Sequence, residues 1–301
     1  VCSPIMKGSL LLMFTVLLVL HITNSVNAGL INKVISKFSQ KIKLNMAPNT
    51  VDYMYTSCSK KMLDEVQGIL EKEKQQDEEY NKLWEGAKKL AKKDVDTTGL
   101  TPLHNMALYL YTMETKMEKS GKSFYQKFND EVRNPVSKNF PYKSAYFLVT
   151  DAIWKLRENE MNKMNKKLEC VTTYRGTTLS YETAAVGREF RFGAFTSSSM
   201  KKSEALKFGK KTCFIISTCY GANITPYSAF KTEEEVLIPP YEKFKVTDIF
   251  KKGKGDMHEC DITYVVKSSG IQGNEINPDE FPSDAAPSSG HLADSAAPRA
   301  I

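Results

Sequence analysis

Cys170-Val171-Thr172-Thr173-Tyr174-Arg175-Gly176 decides the fold, because the residue pattern changes character there. Before Cys170, apolar residues recur at helical spacing. Leu63, Val66, Ile69 and Leu70 form one set, and Tyr80, Leu83, Trp84, Ala87, Leu90 and Ala91 form another. Glu71 to Glu79, between them, is wholly polar, which allows two helices or one long helix with a solvated middle. Thr101-Pro102 opens a further helix, with Thr101 as N-cap and Pro102 in the first turn. Leu103, Ala107, Leu110 and Tyr111 share its apolar face. Phe124, Phe128 and Val132 mark a short helix ended near Asn134-Pro135, and Tyr146 to Leu156 gives one more. After Cys170 the runs Val171–Tyr174, Phe190–Phe195, Thr212–Cys219, Glu235–Ile238, Phe244–Ile249 and Ile262–Val266 are rich in β-branched and aromatic residues and punctuated by Gly and Pro. Helices first and strands afterwards predict an α+β fold.

The chain has 301 residues, 41% hydrophobic and 26% charged, enough for a sizeable core. Its net charge of +7 is spread among acids along most of the length, without the concentrated basic stripe and interleaved aromatics of a nucleic-acid surface. A modest positive field that attracts a small anion fits this balance. Lys7 followed by the apolar run Leu10 to Leu20 and by Val26-Asn27-Ala28 reads as a signal peptide over residues 1–28, too short in its core for a comfortable membrane span. An uncleaved signal anchor is the alternative. Residues 29–50 read as a loosely packed N-terminal arm, 51–267 as the folded domain, and 268–301 as a disordered tail of Ser, Ala, Gly, Pro and acid. The tail lacks the hydrophobic stretch of a GPI signal, so the expectation is a secreted protein with no stable membrane anchor.

Without the leader five cysteines remain, Cys58, Cys170, Cys213, Cys219 and Cys260, an odd count for an oxidising compartment. Cys213 sits in a buried-looking strand, where a thiol behaves as a small hydrophobe. No cysteine or histidine spacing resembles a zinc site, and no metal is expected. Asn223-Ile224-Thr225 is a glycosylation sequon.

Three motifs carry chemistry. Tyr174-Arg175-Gly176 closes a strand with a guanidinium fork suited to phosphate or ribose oxygens, beside a glycine that lets a ligand approach the backbone. Phe195-Thr196-Ser197-Ser198-Ser199-Met200 offers hydroxyls that can hold a ribose and orient a carboxylate. Glu233-Glu234-Glu235 leads straight into Val236-Leu237-Ile238, so at least one of these acids must face the interior or a cleft. Arg, then Ser-x-Ser, then Glu-x-Glu, in this order and each on its own strand, resembles the R-S-E signature of the arginine-specific mono-ADP-ribosyltransferases, and in particular the vertebrate ecto-ADP-ribosyltransferase family. Phe124 to Asn129, Arg188 to Ser199, Thr218-Cys219-Tyr220-Gly221 and Glu235 to Val246 extend the likeness over about residues 50–266.

The resemblance implies a helical region packed on a mixed or antiparallel two-sheet β core. It implies transfer of ADP-ribose from NAD to a protein or small-molecule guanidine acceptor, with release of nicotinamide. Arg175 would grip the phosphate and ribose region of NAD, and Gly176 would offer backbone groups to the carboxamide. Ser197 would hold the nicotinamide ribose and the catalytic acid, Glu235, with Ser199 as the second serine. Glu233 would orient the acceptor, and Phe208 would stack on the nicotinamide. Two disulfides are implied, Cys58–Cys260 and Cys170–Cys219, leaving Cys213 unpaired. NAD hydrolysis, with water as acceptor, shares the same donor step, and an inactive secreted binding module of the same fold is the other alternative.

Overall fold

The computed structural model describes residues 41–91, 98–135, 140–164 and 169–275. The leader, residues 29–40 of the expected arm and residues 276–301 of the expected tail lie outside the described residues. Among the described residues, five helices precede the strands: α1 (Ser59–Gln76), α2 (Glu78–Leu90), α3 (Pro102–Thr112), α4 (Phe124–Arg133) and α5 (Lys143–Lys163). The polar stretch after Leu70 is helical as far as Gln76, and a single extended residue, Asp77, separates α1 from α2. Its carboxylate accepts the N–H groups of Glu79 and Tyr80 at 3.0 and 3.2 Å, a side-chain cap for two backbone donors at the new helix start.

Thr101 begins α3 as expected, and its backbone N–H donates to His104 Nδ1 at 2.9 Å. The other ring nitrogen of His104 lies 2.9 Å from Oδ2 of Asp151 on α5, where Lys155 also pairs, while the Ser59 hydroxyl donates to Oδ1 of the same carboxylate. Burial alone would raise the Asp151 pKa, but His104 and Ser59, with Lys155, hold it below the ordinary value. This buried cluster ties α1, α3 and α5 together. Helix α5 begins three residues before the expected Tyr146, because Glu73 of α1 accepts the N–H groups of Lys143 and Ser144 at 2.7 and 3.3 Å. A cap supplied by another helix leaves no local signature in the sequence.

The strands are β1 (Val171–Thr177), β2 (Glu189–Arg191), β3 (Thr196–Ser199), β4 (Thr212–Thr218), β5 (Ala222–Asn223), β6 (Glu235–Ile238), β7 (Glu242–Lys251) and β8 (Ile262–Ile271), with a short helix α6 (Lys202–Lys207) between β3 and β4. The expected two-sheet core is present as two arms of one hydrogen-bonded sheet in the order β2-β7-β8-β4-β1-β3-β6-β5. The arms meet at a single register pair, Tyr174 with Ser199. Only β4 and β8 run parallel; the other neighbours are antiparallel. The helices cover one arm, where Phe195 stacks on Phe128 with ring centroids 5.6 Å apart and meets Tyr146 edge-on at 5.3 Å. The other arm has its own cluster around Phe190, Phe192, Phe214, Phe244 and Tyr264.

Both ends of the domain differ from the sequence expectation. Residues 44–50 are not loose: Leu44 is buried, Arg188 donates to its carbonyl at 3.1 Å, and the Arg191 N–H donates to Asn45 O at 2.9 Å. At the other end, Ser268–Ile271 continue β8 against β7, and Asn274 pairs with the backbone around Asp52. Ladder pairing uses backbone groups and needs no apolar side chain, so composition marked these residues as tail.

Cys170–Cys219 forms as expected. Val171 faces Thr218 across β1 and β4, so Cys170 and Cys219 lie opposite each other one step beyond the ladder. The second expected pair is corrected: Cys260 bonds Cys213, and Cys58 stands outside both disulfides. The cause is the parallel register of β4 and β8. It sets Cys213 beside Thr263, and Cys260 lies three residues before Thr263, with the two Cα atoms 6.1 Å apart. Cys58 instead adjoins Glu275, whose carboxylate accepts from the hydroxyls of Thr56 and Ser57. Burial and then the Glu275 charge push the Cys58 thiol up.

Non-reducing peptide mapping is expected to recover a Cys213–Cys260 linked peptide and none joining Cys58 to Cys260. A second prediction concerns pH. Burial raises the Glu73 carboxyl to about 7, above its ordinary 4.5. The folded state therefore holds the proton over that interval more tightly, and this group's stabilisation is lost as pH rises from about 4.5 through about 7. The melting temperature of Glu73→Gln relative to the unmodified protein should rise across the same interval by a few °C and level off above it. A pH-independent difference would refute the assignment.

Candidate active site

The three chemical motifs converge where the two arms of the sheet join. Arg175 follows Tyr174 on β1, Ser197 and Ser199 lie on β3, and Glu235 opens β6. Ser199 faces Glu235 across the β3–β6 ladder, while Arg175 Nη1 donates to the Ser197 carbonyl at 2.6 Å. Arg175, Ser197 and Glu235, separated by 60 positions in sequence, thus occupy three adjacent strands. Burial lowers the Arg175 pKa, opposed by the neighbouring Tyr181 and Tyr111, while Arg133 on α4 adds a second nearby guanidinium.

The Glu-x-Glu turn sorts its three acids by direction. Glu235 is fully buried, with Oε2 accepting from the Ser228 hydroxyl at 3.3 Å. Glu233 ends a 3₁₀ turn (Lys231–Glu233) and is 9% exposed. Glu234 between them adopts φ 45°, in the left-handed region, and its carboxylate pairs with Lys201 at 2.6 Å on the outside. Such a conformation costs a side-chain-bearing residue about 1–3 kcal/mol and persists only where the surroundings impose it. Here Met200 donates to the Glu234 carbonyl at 3.1 Å and the Ser199 hydroxyl donates to the Glu233 carbonyl at 2.6 Å.

Two site residues from the sequence have structural tasks. The Ser199 hydroxyl is engaged with the Glu233 carbonyl and accepts the Lys201 N–H at 2.9 Å, so it fixes the turn. Ser198, between the two, turns to the Val236 carbonyl at 3.0 Å, in keeping with the alternation of a strand. Gly176 is packed against α6 and the following loop. A Cβ there would lie 2.4 Å from the Ala205 carbonyl oxygen and 2.5 Å from that of Gly209. Gly209 has φ +136° and is equally close to the backbone of Thr177 and Thr178. This contact sets Phe208, half-buried at the end of α6, beside the Arg175-Gly176 motif.

Sequence reasoning missed three groups at this site. Ser228 touches Glu235 but has only an ordinary loop context. Tyr111 on α3 read as an apolar-face residue; its hydroxyl donates to the Phe195 carbonyl at 3.1 Å and has the Ser197 side chain, Glu235 and Arg175 as neighbours. Burial pushes the Tyr111 phenol up, so it remains a protonated donor. Asn129 on α4 donates to both the Tyr111 hydroxyl, at 3.0 Å, and the Phe195 carbonyl, at 3.1 Å. No group of three or more acidic, histidine or cysteine residues among the described residues is arranged to hold a metal. The combination of guanidinium, hydroxyls and two carboxylates suits an anionic, sugar-bearing ligand.

Gly176→Ala forces a side chain into backbone oxygens that cannot rotate away. It is expected to destabilise the fold by about 1–3 kcal/mol, read as a lower denaturant midpoint. An unchanged midpoint would contradict the close approach of β1 to the Gly209 loop.

Comparison with known proteins accounts for this arrangement. A profile of the family NAD:arginine ADP-ribosyltransferase matches residues 44–262. Ecto-ADP-ribosyltransferase 5 of Bos taurus is 34% identical over 221 residues, covering 70% of this chain and 67% of the relative. T-cell ecto-ADP-ribosyltransferase 2 of Mus musculus is 35% identical over 213 residues, 68% of each chain. The crystal structure of the eucaryotic mono-ADP-ribosyltransferase ART2.2 aligns with a TM-score of 0.62 at 28% identity, covering 79% of this chain and 98% of that one. A variant of ART2.2 solved in complex with NAD aligns with a TM-score of 0.59. With a matching profile over most of the domain and a shared α+β fold, the chain belongs to the NAD:arginine ADP-ribosyltransferase family.

Proposed function

We propose that this protein transfers ADP-ribose from NAD⁺ to arginine side chains of proteins, releasing nicotinamide, and that it does so outside the cell. The observation that carries the reading is the meeting of Arg175, Ser197 and Glu235 on β1, β3 and β6, with Glu233 on the same turn as Glu235. The residues fit the donor. Arg175, with Arg133 nearby, supplies positive charge for a diphosphate, and Ser197 supplies a hydroxyl for a ribose. Gly176 follows Arg175 on β1, Phe208 lies between the Ala205 and Gly209 carbonyls that pack on Gly176, and the two are assigned to the nicotinamide.

Cleavage of the nicotinamide–ribose bond develops positive charge on the sugar, as in glycoside cleavage. Glu235 stabilises that charge through the ribose 2′-OH, and its burial removes competing water. Ser228 and Ser197 hold the carboxylate and the ribose in register. An arginine side chain is protonated at neutral pH and is a poor nucleophile. Glu233 orients the incoming guanidinium and takes its proton as the new C–N bond forms. The left-handed Glu234 turns its own carboxylate outward to Lys201, which separates the two acids into a donor-side and an acceptor-side group. Two disulfides support an oxidising compartment, and the relatives named ecto-enzymes support the same location. Among the described residues no helix is long and apolar enough to cross a membrane.

The test is incubation of the protein with labelled NAD⁺ and agmatine. Glu235→Gln should lower both agmatine labelling and nicotinamide release by about a hundredfold or more. Glu233→Gln should lose labelling while retaining nicotinamide release. Equal loss of both products in Glu233→Gln would overturn the division of roles, and nicotinamide release without any labelling in the unmodified protein would assign hydrolysis instead.

A further inference from the structure

Two consecutive residues at the C-terminal end of α3 grip both walls of the site. Tyr111 holds the β3 side: its hydroxyl donates to the carbonyl of Phe195, two residues before Ser197, and accepts from Asn129 Nδ2. Thr112 holds the β6 side: its hydroxyl oxygen accepts the N–H of Ala229 at 2.9 Å and is itself anchored on the carbonyls of Leu108 and Tyr109 within the helix, each 3.1 Å away. Ala229 adjoins Ser228, whose hydroxyl reaches Glu235 Oε2 at 3.3 Å and accepts the Phe230 N–H at 3.1 Å. Tyr111 is 2% exposed, Thr112 1% and Ser228 3%, so water cannot substitute for these contacts. The helix carrying the pair is fixed at its other end by the Thr101–His104–Asp151 network.

We infer that Tyr111 and Thr112 are positioning residues that set the catalytic Glu235, through Ala229 and Ser228, against Ser197, through Phe195, and so control the rate of the glycosidic step without binding NAD themselves. The inference rests on the transferase reading for its kinetic consequence and on hydrogen bonding alone for its structural one. Phe195 and Ala229 both lie just outside the β3–β6 ladder, which pairs Thr196–Ser199 with Glu235–Ile238. A helix end that holds both residues fixes the segments that lead into the two strands where the ladder does not reach. Misplacement of a reacting group by about 1 Å costs about a hundredfold in rate, so a partial loosening should cost about tenfold.

The experiment compares Thr112→Val, which keeps the shape and removes the hydroxyl, with Thr112→Ser, which keeps the hydroxyl, and adds Tyr111→Phe alone and in a Ser197→Ala background. With labelled NAD⁺ and agmatine, Thr112→Val and Tyr111→Phe should each lower kcat about tenfold with KM for NAD⁺ changed less than about twofold, and Thr112→Ser should restore most of the rate. Tyr111→Phe should add little to Ser197→Ala, because Tyr111 acts by placing the Ser197 hydroxyl that the second change removes. An unchanged kcat in Thr112→Val, or a loss carried by KM, would overturn the positioning role. A second readout does not depend on turnover. Hydrogen exchange of the Ala229 amide should accelerate in Thr112→Val and not in Thr112→Ser. If the unmodified protein proves inactive, the transferase reading falls and this exchange measurement still decides the clamp: faster exchange in the valine variant alone supports it, and no difference removes it.

Discussion

Where β1 meets β3, the sheet narrows to one register pair, Tyr174 with Ser199, reinforced by the hydrogen bond from Arg175 to the Ser197 carbonyl. Both chemical and structural consequences follow from this junction. It brings the guanidinium of one arm of the sheet onto the Ser197 carbonyl of the other, and the β3–β6 ladder then carries the position across to Glu235. A sheet split at this point would leave Arg175 and Glu235 on separate bodies. The helices hold the β3 side of this junction, by aromatic packing of Phe195 against Phe128 and Tyr146 and by the hydrogen bonds from α3 and α4 to its carbonyl.

The site also explains the buried polar groups around it. Buried carboxylates and hydroxyls are unfavourable unless hydrogen-bonded. Here the bonds serve geometry: Ser228 on Glu235, Ser199 on the Glu233 carbonyl and Ser198 on the Val236 carbonyl each hold a strand or turn in one position. The left-handed Glu234 is the point where this network imposes a strained backbone, and the strain is what separates two acids of one short turn. At the far end of β1 and β4 a different buried acid, Glu242, gathers Thr218 and the N–H groups of Cys219 and Tyr220, which fixes the turn after the Cys170–Cys219 bridge. Its carboxyl is pushed up by burial and drawn back by those donors.

The second disulfide places a covalent tie between β4 and the segment leading into β8, directly beneath α6 and the glycine contact at Gly176. Cys213 and Cys260 pack with Ala205 and Met257 in one small cluster. This bridge therefore supports the floor on which Arg175-Gly176 and the Phe208 loop rest. Cys58, which the family resemblance paired with Cys260, adjoins Glu275 instead, and hydroxyl-to-carboxylate hydrogen bonds from Thr56 and Ser57 join the two ends of the domain there.

Much of the protein was legible in its residues. The change at Cys170 separated helices from strands, Glu235–Ile238 was read with its observed bounds, and the motifs holding Arg175, Ser197 and Glu235 were picked out from residue types that the fold brings onto adjacent strands, because strand alternation and turn residues are local properties. The α5 start, the packing of residues 44–50, the extension of β8 through Ser268–Ile271, the Cys213–Cys260 bond and the hydrogen bonds of Tyr111, Thr112 and Ser228 were decided only by the tertiary structure. Each depends on a partner supplied from elsewhere in the chain: Glu73 for the helix start, β7 for the end of β8, the parallel β4–β8 register for the cysteines, and the convergence of α3 with β3 and β6 for the site. A residue's type limits what it can bond to, but only the folded chain brings the partner within reach.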